Sequence, residues 1–345
     1  MLSNISLPPG YAITLFADNV PSARQIAVAK DGWVFLGSRS DAVYALRDSD
    51  NDGVSDERLT IASGLDNPHG VAWHDGDLYI GEIPRIRVAR NILQQLKNPS
   101  QPLQTEVFIG GLPTGSHHGL RHIKVGPDGM LYIALGTPCN ICQPEPLGFA
   151  GVIRRYPLSD TSAQRDGEIF AEGIRNAVGF DWHPKTNVLW FSDNGRDWLG
   201  DDLPNDEINR APQAGMHFGY PYCHEENLQD PEFGDLAKCS NFTPPALLSG
   251  AHVANLGMAF DAAGENIYIA LHGSWNRSVK VGYAVSRAVI RDTRVAGYET
   301  FAAGWLKDKS VWGRPVDVAF APNGDLLVSD DFAGVVYRIF KTARE

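Results

Sequence analysis

The stretch Gly115–Leu135, GSHHGLRHIKVGPDGMLYIAL, decides how the rest of the chain is read. It carries two kinds of signal. His117, His118 and Arg121 form a tight polar cluster, and behind them come a short strand, a Pro-Asp-Gly turn and a second strand at Met130–Leu135. The turn-and-strand unit returns along the whole chain, so it reports the fold. The His/Arg cluster does not return, so it reports function.

Working outward, six copies of one pattern emerge. Each has a short apolar strand, a tight turn, a strand rich in Leu, Tyr, Ile or Val, then a polar stretch and a third strand. The leading pairs are Gln25–Ala29 with Trp33–Gly37, Gly70–Trp73 with Asp77–Ile80, and His122–Val125 with Met130–Leu135. Val178–Trp182 with Val188–Ser192, Gly257–Phe260 with Asn266–Leu271, and Val316–Phe320 with Asp325–Ser329 complete the set. The third strands are Ala42–Leu46, Arg87–Ala89, Val152–Tyr156, Asp206–Arg210, Gly282–Arg287 and Val335–Ile339. This grammar predicts an all-β, six-bladed β-propeller. A β-sandwich with accidental likeness between strands is the alternative, and the sixfold recurrence argues against it. Tyr11–Ala17 precedes the first copy and is expected to close the ring as an outer strand of the last blade, removing an open sheet edge. Residues 1–345 are then one domain, with loop insertions at 137–150 and 211–253.

Composition fits that reading. The chain has 345 residues, 43% of them hydrophobic, enough for a sizeable core. The formal net charge of −11 argues against nucleic acid or an anionic membrane as the main partner. No apolar run approaches the length of a membrane span. Met1-Leu2-Ser3-Asn4 leads straight into domain-like sequence, so an exported form would already have lost its signal.

Three groups of residues can carry chemistry. In the run from Asp48 to Glu57, Asp48, Asp50 and Asp52 alternate ahead of Gly53, which matches the start of a calcium loop. The Val54 carbonyl and Asp56 or Glu57 could complete a shell. Position twelve is Leu59 rather than Glu, so this is not a full EF-hand loop, and a solvated acidic turn is the alternative. Cys139-Asn140-Ile141-Cys142 and the pair Cys223 and Cys239 read as two local disulfides, which implies an oxidising compartment. A zinc site built from all four, or a redox-active pair, are the other readings. The third group is polar and sits at repeat junctions: His117, Arg121, Arg175-Asn176, Asn194-Gly195-Arg196-Asp197, Arg277, Lys280 and Arg314. So many cations at equivalent blade ends of an acidic protein suggest a polyanionic ligand on the axis. Pairing of each cation with an acidic neighbour is the bland alternative.

The chain resembles the soluble pyrroloquinoline-quinone (PQQ) sugar dehydrogenases, nearest the glucose/sorbosone and aldose sugar dehydrogenase branch. The likeness runs from Pro8-Pro9-Gly10-Tyr11 to Arg338-Ile339 and rests on a combination of motifs. These are HHGLR, GPDGMLYIALG, GIRNAVGFDWHP, FSDNGRDWLGDDLPNDEIN, HFGYPYC, HGSWNRSVKVGYAV and GRPVDVAFAPNGDLLVSDD. The resemblance implies a six-bladed propeller with PQQ and calcium as cofactors. It implies His117, four positions before Arg121, as the general base. It also implies PQQ contacts from Arg175, Asn176, Lys280 and Arg314. Calcium at the quinone would take the backbone carbonyls of Gly195 and Arg196, where the family has a Gly-Pro step. The absent proline bears on the loop geometry, and Arg196 adds a positive charge near the cofactor.

The function expected is oxidation of an aldose or a related aldehyde, sorbosone-like, with electrons passed to an external acceptor such as a cytochrome or a quinone. The expected location is periplasmic or secreted. Two other functions remain open: a calcium-dependent lactonase on the same architecture, and a propeller that only binds sugar or protein.

Overall fold

Short runs of Leu, Ile, Val, Phe and Tyr give inner strands that are buried on both faces, and the turns between them are short enough for antiparallel pairing. The computed structural model, which describes residues 2–160, 162 and 166–342, gathers these strands into six four-stranded blades. The third blade gains a fifth, parallel strand at Met216–His217. Blade one runs Ala23–Val28, Val34–Ser38, Val43–Arg47 and Glu57–Ala62. Blade three begins with Ile123–Val125 and Met130–Leu135. The sixth blade takes its outer strand from the N-terminus: Tyr11–Ala17 pairs antiparallel with Val335–Lys341, Tyr11 opposite Lys341. The expected ring closure is therefore observed.

The core lies between blades. Phe108 and Tyr79 of blade two pack with Leu131, Ile133 and Tyr156 of blade three. Leu36 and Leu46 of blade one pack with Leu327 and Val336 of blade six, which closes the circle with apolar contacts as well as strand pairing. Each such buried Leu or Phe stabilises the ring by about 1.5–3 kcal/mol. Close to the axis the blades touch through backbone. A Cβ at Gly70 would collide with the Arg121 carbonyl oxygen, and one at Gly179 with that of Leu256, so glycine at the head of these strands permits the approach.

The sequence reading lacked the outer strands. Glu57–Ala62 alternates half-buried and exposed residues, and Glu106–Ile109 starts with two exposed ones, so neither offers an apolar run. The stretch 211–253 is more ordered than a loop. It supplies the parallel strand Met216–His217, a small hairpin at Cys223–His224 and Leu228–Gln229, and the outer strand of blade four, Leu247–Ala251. Disulfides join Cys139 to Cys142 and Cys223 to Cys239, as expected, and no cysteine is left free among the described residues. No helix among those residues is long and apolar enough to cross a membrane.

Candidate active site

Loops that lead into the inner strands converge at one end of the axis around a cavity of about 350 Å³. The wall includes Arg24 and Arg39 from blade one, His118 and Gly119, Arg175 and Asn176, Asn194 and Gly195, and Trp275 and Asn276. They come from strand ends and loops of several blades, which is why they are scattered in the chain and adjacent in space.

His118 is the titratable base in this wall with a clear tautomer. Its Nδ1 lies 2.9 Å from the Thr137 carbonyl oxygen, which can only accept. Nδ1 therefore carries the proton, and Nε2 keeps its lone pair. Burial first, then the charges of Arg175 and His117, pull the imidazole pKa down to about 2 despite that hydrogen bond. The ring is neutral at ordinary pH and, with its pKa held so low, is a weak proton acceptor.

Arg175 is buried and tightly held. Its Nε donates to Asn140 O at 2.8 Å, one terminal nitrogen donates to Asn140 Oδ1 at 2.8 Å, and the same nitrogen pairs with Asp197 at 2.9 Å. Behind it, buried Asp193 accepts the backbone N–H groups of Arg175 and Asn176, and Asp206 accepts those of Gly195 and Ala254. Burial raises the carboxyls of Asp193, Asp206 and Glu207 to about 6, 7 and 8, against those hydrogen bonds. Arg24 pairs with Asp331 at 2.9 Å, and the same carboxylate serves Arg314 at 3.1 Å and His272. One anion thus faces two guanidiniums. Burial alone would raise Asp331, but the hydrogen bond from His272 and the charges of His272, Arg24 and Arg314 hold it well below the usual carboxylate range. Arg39 lines the cavity and makes no ion pair among the described residues. Asp197 and Asp206 also line the cavity, so its wall carries both signs of charge.

The TrAA12-like family model matches residues 5–342. This chain belongs to that family. An uncharacterised protein of Borreliella burgdorferi is 35% identical over 98% of this chain and 91% of its own length. A pyrroloquinoline quinone-dependent sugar dehydrogenase of Hypocrea jecorina is 25% identical over 55% of this chain and 54% of its own. The solved iodide structure of a Trichoderma reesei family AA12 carbohydrate-active enzyme superposes with a TM-score of 0.85 at 21% identity, covering 98% of both chains. That last likeness is one of fold.

The residues singled out in the sequence divide into two sets. Arg175, Asn176, Asn194 and Gly195 meet at the axial cavity. His117 does not: its exposed ring lines a side crevice with Arg121, Pro113 and Phe149. His118 holds a left-handed φ of +49°, so the two adjacent rings, 4.1 Å apart, serve different spaces. Arg121 is 1% exposed and donates to Ile83 O and Pro113 O, a strut between blades two and three rather than a cavity cation. Arg196 brings no free charge to the axis. It is buried against Asp230 at 2.6 Å and Glu232 at 2.9 Å, both in the 211–253 insertion. Arg277 pairs with Asp202 and donates to Asp201 O. Lys280 is exposed and Arg314 stacks on Phe332, and neither lines the cavity.

Of the wall residues, Arg24 and Arg39 were missed in the sequence. Arg24 and Arg39 flank the first inner strands, so an equivalent-position search over all six repeats would have found them. In the acidic loop, carboxylate oxygens of Asp48, Asp50 and Asp56 lie within 4.8 Å of one another. Asp52 turns back to its own loop and accepts Val54 N at 2.7 Å.

Proposed function

We propose that this chain is a PQQ-dependent dehydrogenase of sugars or related aldehydes, sorbosone among them, that hands electrons to an external acceptor such as a cytochrome or a quinone. One observation carries the reading: three guanidiniums, Arg24, Arg39 and Arg175, meet with Asn176 around one axial cavity. The donor set suits PQQ, a planar tricarboxylate. Arg39 is uncompensated, Arg24 shares its carboxylate, and Arg175 and Asn176 add further N–H donors. These four residues would hold the cofactor. Bound there, it supplies a two-electron acceptor for hydride.

The chain's own residues do the rest. A histidine of the adjacent pair would take the proton of the substrate hydroxyl, a role worth about 10²–10⁴ in rate: His117 is the one the sequence resemblance implies, and His118 is the one in the cavity wall. Thr137 fixes the tautomer of His118. Asp197 and Asn140 keep the Arg175 guanidinium in the wall. The Gly195 and Arg196 carbonyls are candidate calcium ligands, and the metal would add Lewis acidity at the cofactor. A second, structural calcium suits Asp48, Asp50 and Asp56, with the Val54 carbonyl. We infer export from the two disulfides, and we take the six blades to act as one domain.

Titration of the purified chain with PQQ, with and without calcium, tests this while quinone absorbance is followed as an aldose panel is added. Calcium-dependent binding followed by bleaching is the expected result. Absence of PQQ binding would sink the proposal and bring the lactonase reading forward.

A further inference from the structure

His118, His252 and His272 all belong to the cavity wall, and each imidazole is engaged differently. His118 gives its Nδ1 hydrogen to Thr137 O and keeps a lone pair on Nε2. His252 is used at both ends: Nε2 lies 2.9 Å from the Gly200 carbonyl oxygen, and Nδ1 lies 3.2 Å from Asn276 Nδ2. His272 differs from both because a carboxylate backs it. Its Nε2 is 3.1 and 3.2 Å from the two oxygens of Asp331.

The tautomer of His272 follows from that partner. The Asp331 side chain is buried and already accepts from Arg24 at 2.9 Å and Arg314 at 3.1 Å, so it is ionised and can only accept. His272 Nε2 therefore carries the hydrogen. Nδ1 keeps its lone pair and has no hydrogen-bond partner among the described residues. Asp331 stands behind the wall and His272 within it, so Nδ1 is the nitrogen left to the cavity. Burial holds this imidazole below its ordinary pKa, against the hydrogen bond and charge of Asp331, and the lone pair persists at neutral pH. The backbone fixes the ring as well. His272 N donates to Ala254 O and Gly273 N to Val253 O, both at 2.9 Å. Gly273 holds φ at +103°, and a Cβ there would strike the Tyr283 ring.

We propose that His272 is a specificity-determining residue whose Nδ1 accepts the hydrogen of a second substrate hydroxyl, so that the chain selects polyhydroxy substrates over simple alcohols and aldehydes. The inference rests on the sugar-oxidising reading above and names the substrate feature that the site selects. The guanidiniums of the same wall suit a carboxylate-rich cofactor, which calls for donors. A lone pair calls for the opposite partner, and a hydroxyl is the donor a sugar offers. A substrate lacking that hydroxyl leaves the buried acceptor unmet, which is how a site built around a hydrogen bond rejects the smaller analogue. Asp331 orients the ring before binding, so little entropy is lost in aiming it.

Hydroxyl deletion tests the inference. Glucose, galactose and their monodeoxy analogues are turned over by the full chain with PQQ, calcium and a dye acceptor, and each is titrated by calorimetry into the chain without PQQ. In the wild type, loss of one hydroxyl is expected to raise KM or the dissociation constant about tenfold. H272Q keeps a donor for Asp331 and removes the Nδ1 lone pair. It should weaken the parent sugar by about the same factor, show no further loss with that one analogue, and leave PQQ affinity unchanged. H272A, with Asp331 still held by Arg24 and Arg314, should behave alike. A deoxy penalty that survives in both variants overturns the proposal. So do variants that weaken PQQ and leave the sugar alone, since His272 then faces the cofactor. Imidazole nitrogen NMR of the cofactor-free chain reads the tautomer directly, and a hydrogen on Nδ1 overturns the proposal whatever the kinetics. The two readings fail separately. Sugar binding that depends on one hydroxyl and on His272, with no turnover, keeps His272 in its role and removes the oxidoreductase. Turnover indifferent to every deletion does the reverse, and neither binding nor turnover removes both.

Discussion

Arg175 hangs on Asn140. The guanidinium Nε donates to Asn140 O and a terminal nitrogen to Asn140 Oδ1, both at 2.8 Å. Asn140 lies inside the Cys139–Cys142 disulfide, so a cross-linked tetrapeptide sets the position of a cavity cation. The sequence reading treated the cysteines as a compartment marker and Arg175 as a ligand contact. Their coupling makes Asn140 a positioning residue. Hydrogen bonds to a charged group contribute about 1.5–3 kcal/mol each. N140A is expected to weaken PQQ binding by about tenfold or more while the melting temperature moves little. A binding titration with unchanged affinity would mean that Asp197 and the main-chain carbonyls of residues 140 and 194 suffice to hold Arg175.

The two histidines at 117 and 118 separate cleanly by substitution. H118A should lower kcat by about 10²–10⁴ with PQQ still bound, and H117A should stay within a few-fold of the wild type. Proton NMR gives an independent check. The low pKa of His118 means its ring resonances stay constant from pH 4 to pH 8 in the cofactor-free protein. A large loss in H117A with a near-normal H118A would restore the sequence-based assignment.

Asp317 sets a pH dependence of stability at the other end of the axis. Burial raises its carboxyl to about 7, although Ile26 N donates to it at 2.7 Å and Lys124 and Arg24 favour its charge. An unfolded aspartate titrates near pH 3.9. Between those values the folded chain binds the extra proton, so this group's stabilisation is present at low pH and lost as pH rises towards 7. D317N keeps an acceptor without the charge. Thermal melts from pH 5 to pH 8 should show the wild type losing about 5 °C relative to D317N. Parallel curves would contradict the assignment.

The two disulfides should differ in their effect on stability. Cys139 and Cys142 are separated by 3 positions, Cys223 and Cys239 by 16. Loop-closure entropy then favours the second, about 3 kcal/mol against about 2 kcal/mol for the first. Paired serine variants in denaturant melts should rank in that order. C139S/C142S is expected to lose more PQQ affinity, because Asn140 is freed.

The sequence by itself determined the propeller, the closing N-terminal strand and both disulfide pairs. Each is a local or repetitive property. Apolar alternation with a tight turn fixes a strand pair wherever it occurs, and six occurrences leave each blade an apolar face that only a neighbour can cover. Even there the outer strands escaped, because they offer no apolar run.

What only the tertiary structure decided was the identity of the cavity wall. Arg175, Arg196 and Arg314 all stand at blade junctions, yet one lines the cavity, one is buried on Asp230, and one stacks on Phe332. Which space a loop side chain enters depends on partners far along the chain and on single backbone angles. At His118 a φ of +49° sends two identical neighbours into different spaces. Nothing in the order of the letters encodes that angle. It follows from Thr137 and Gly136 closing on one imidazole while the other is left to solvent.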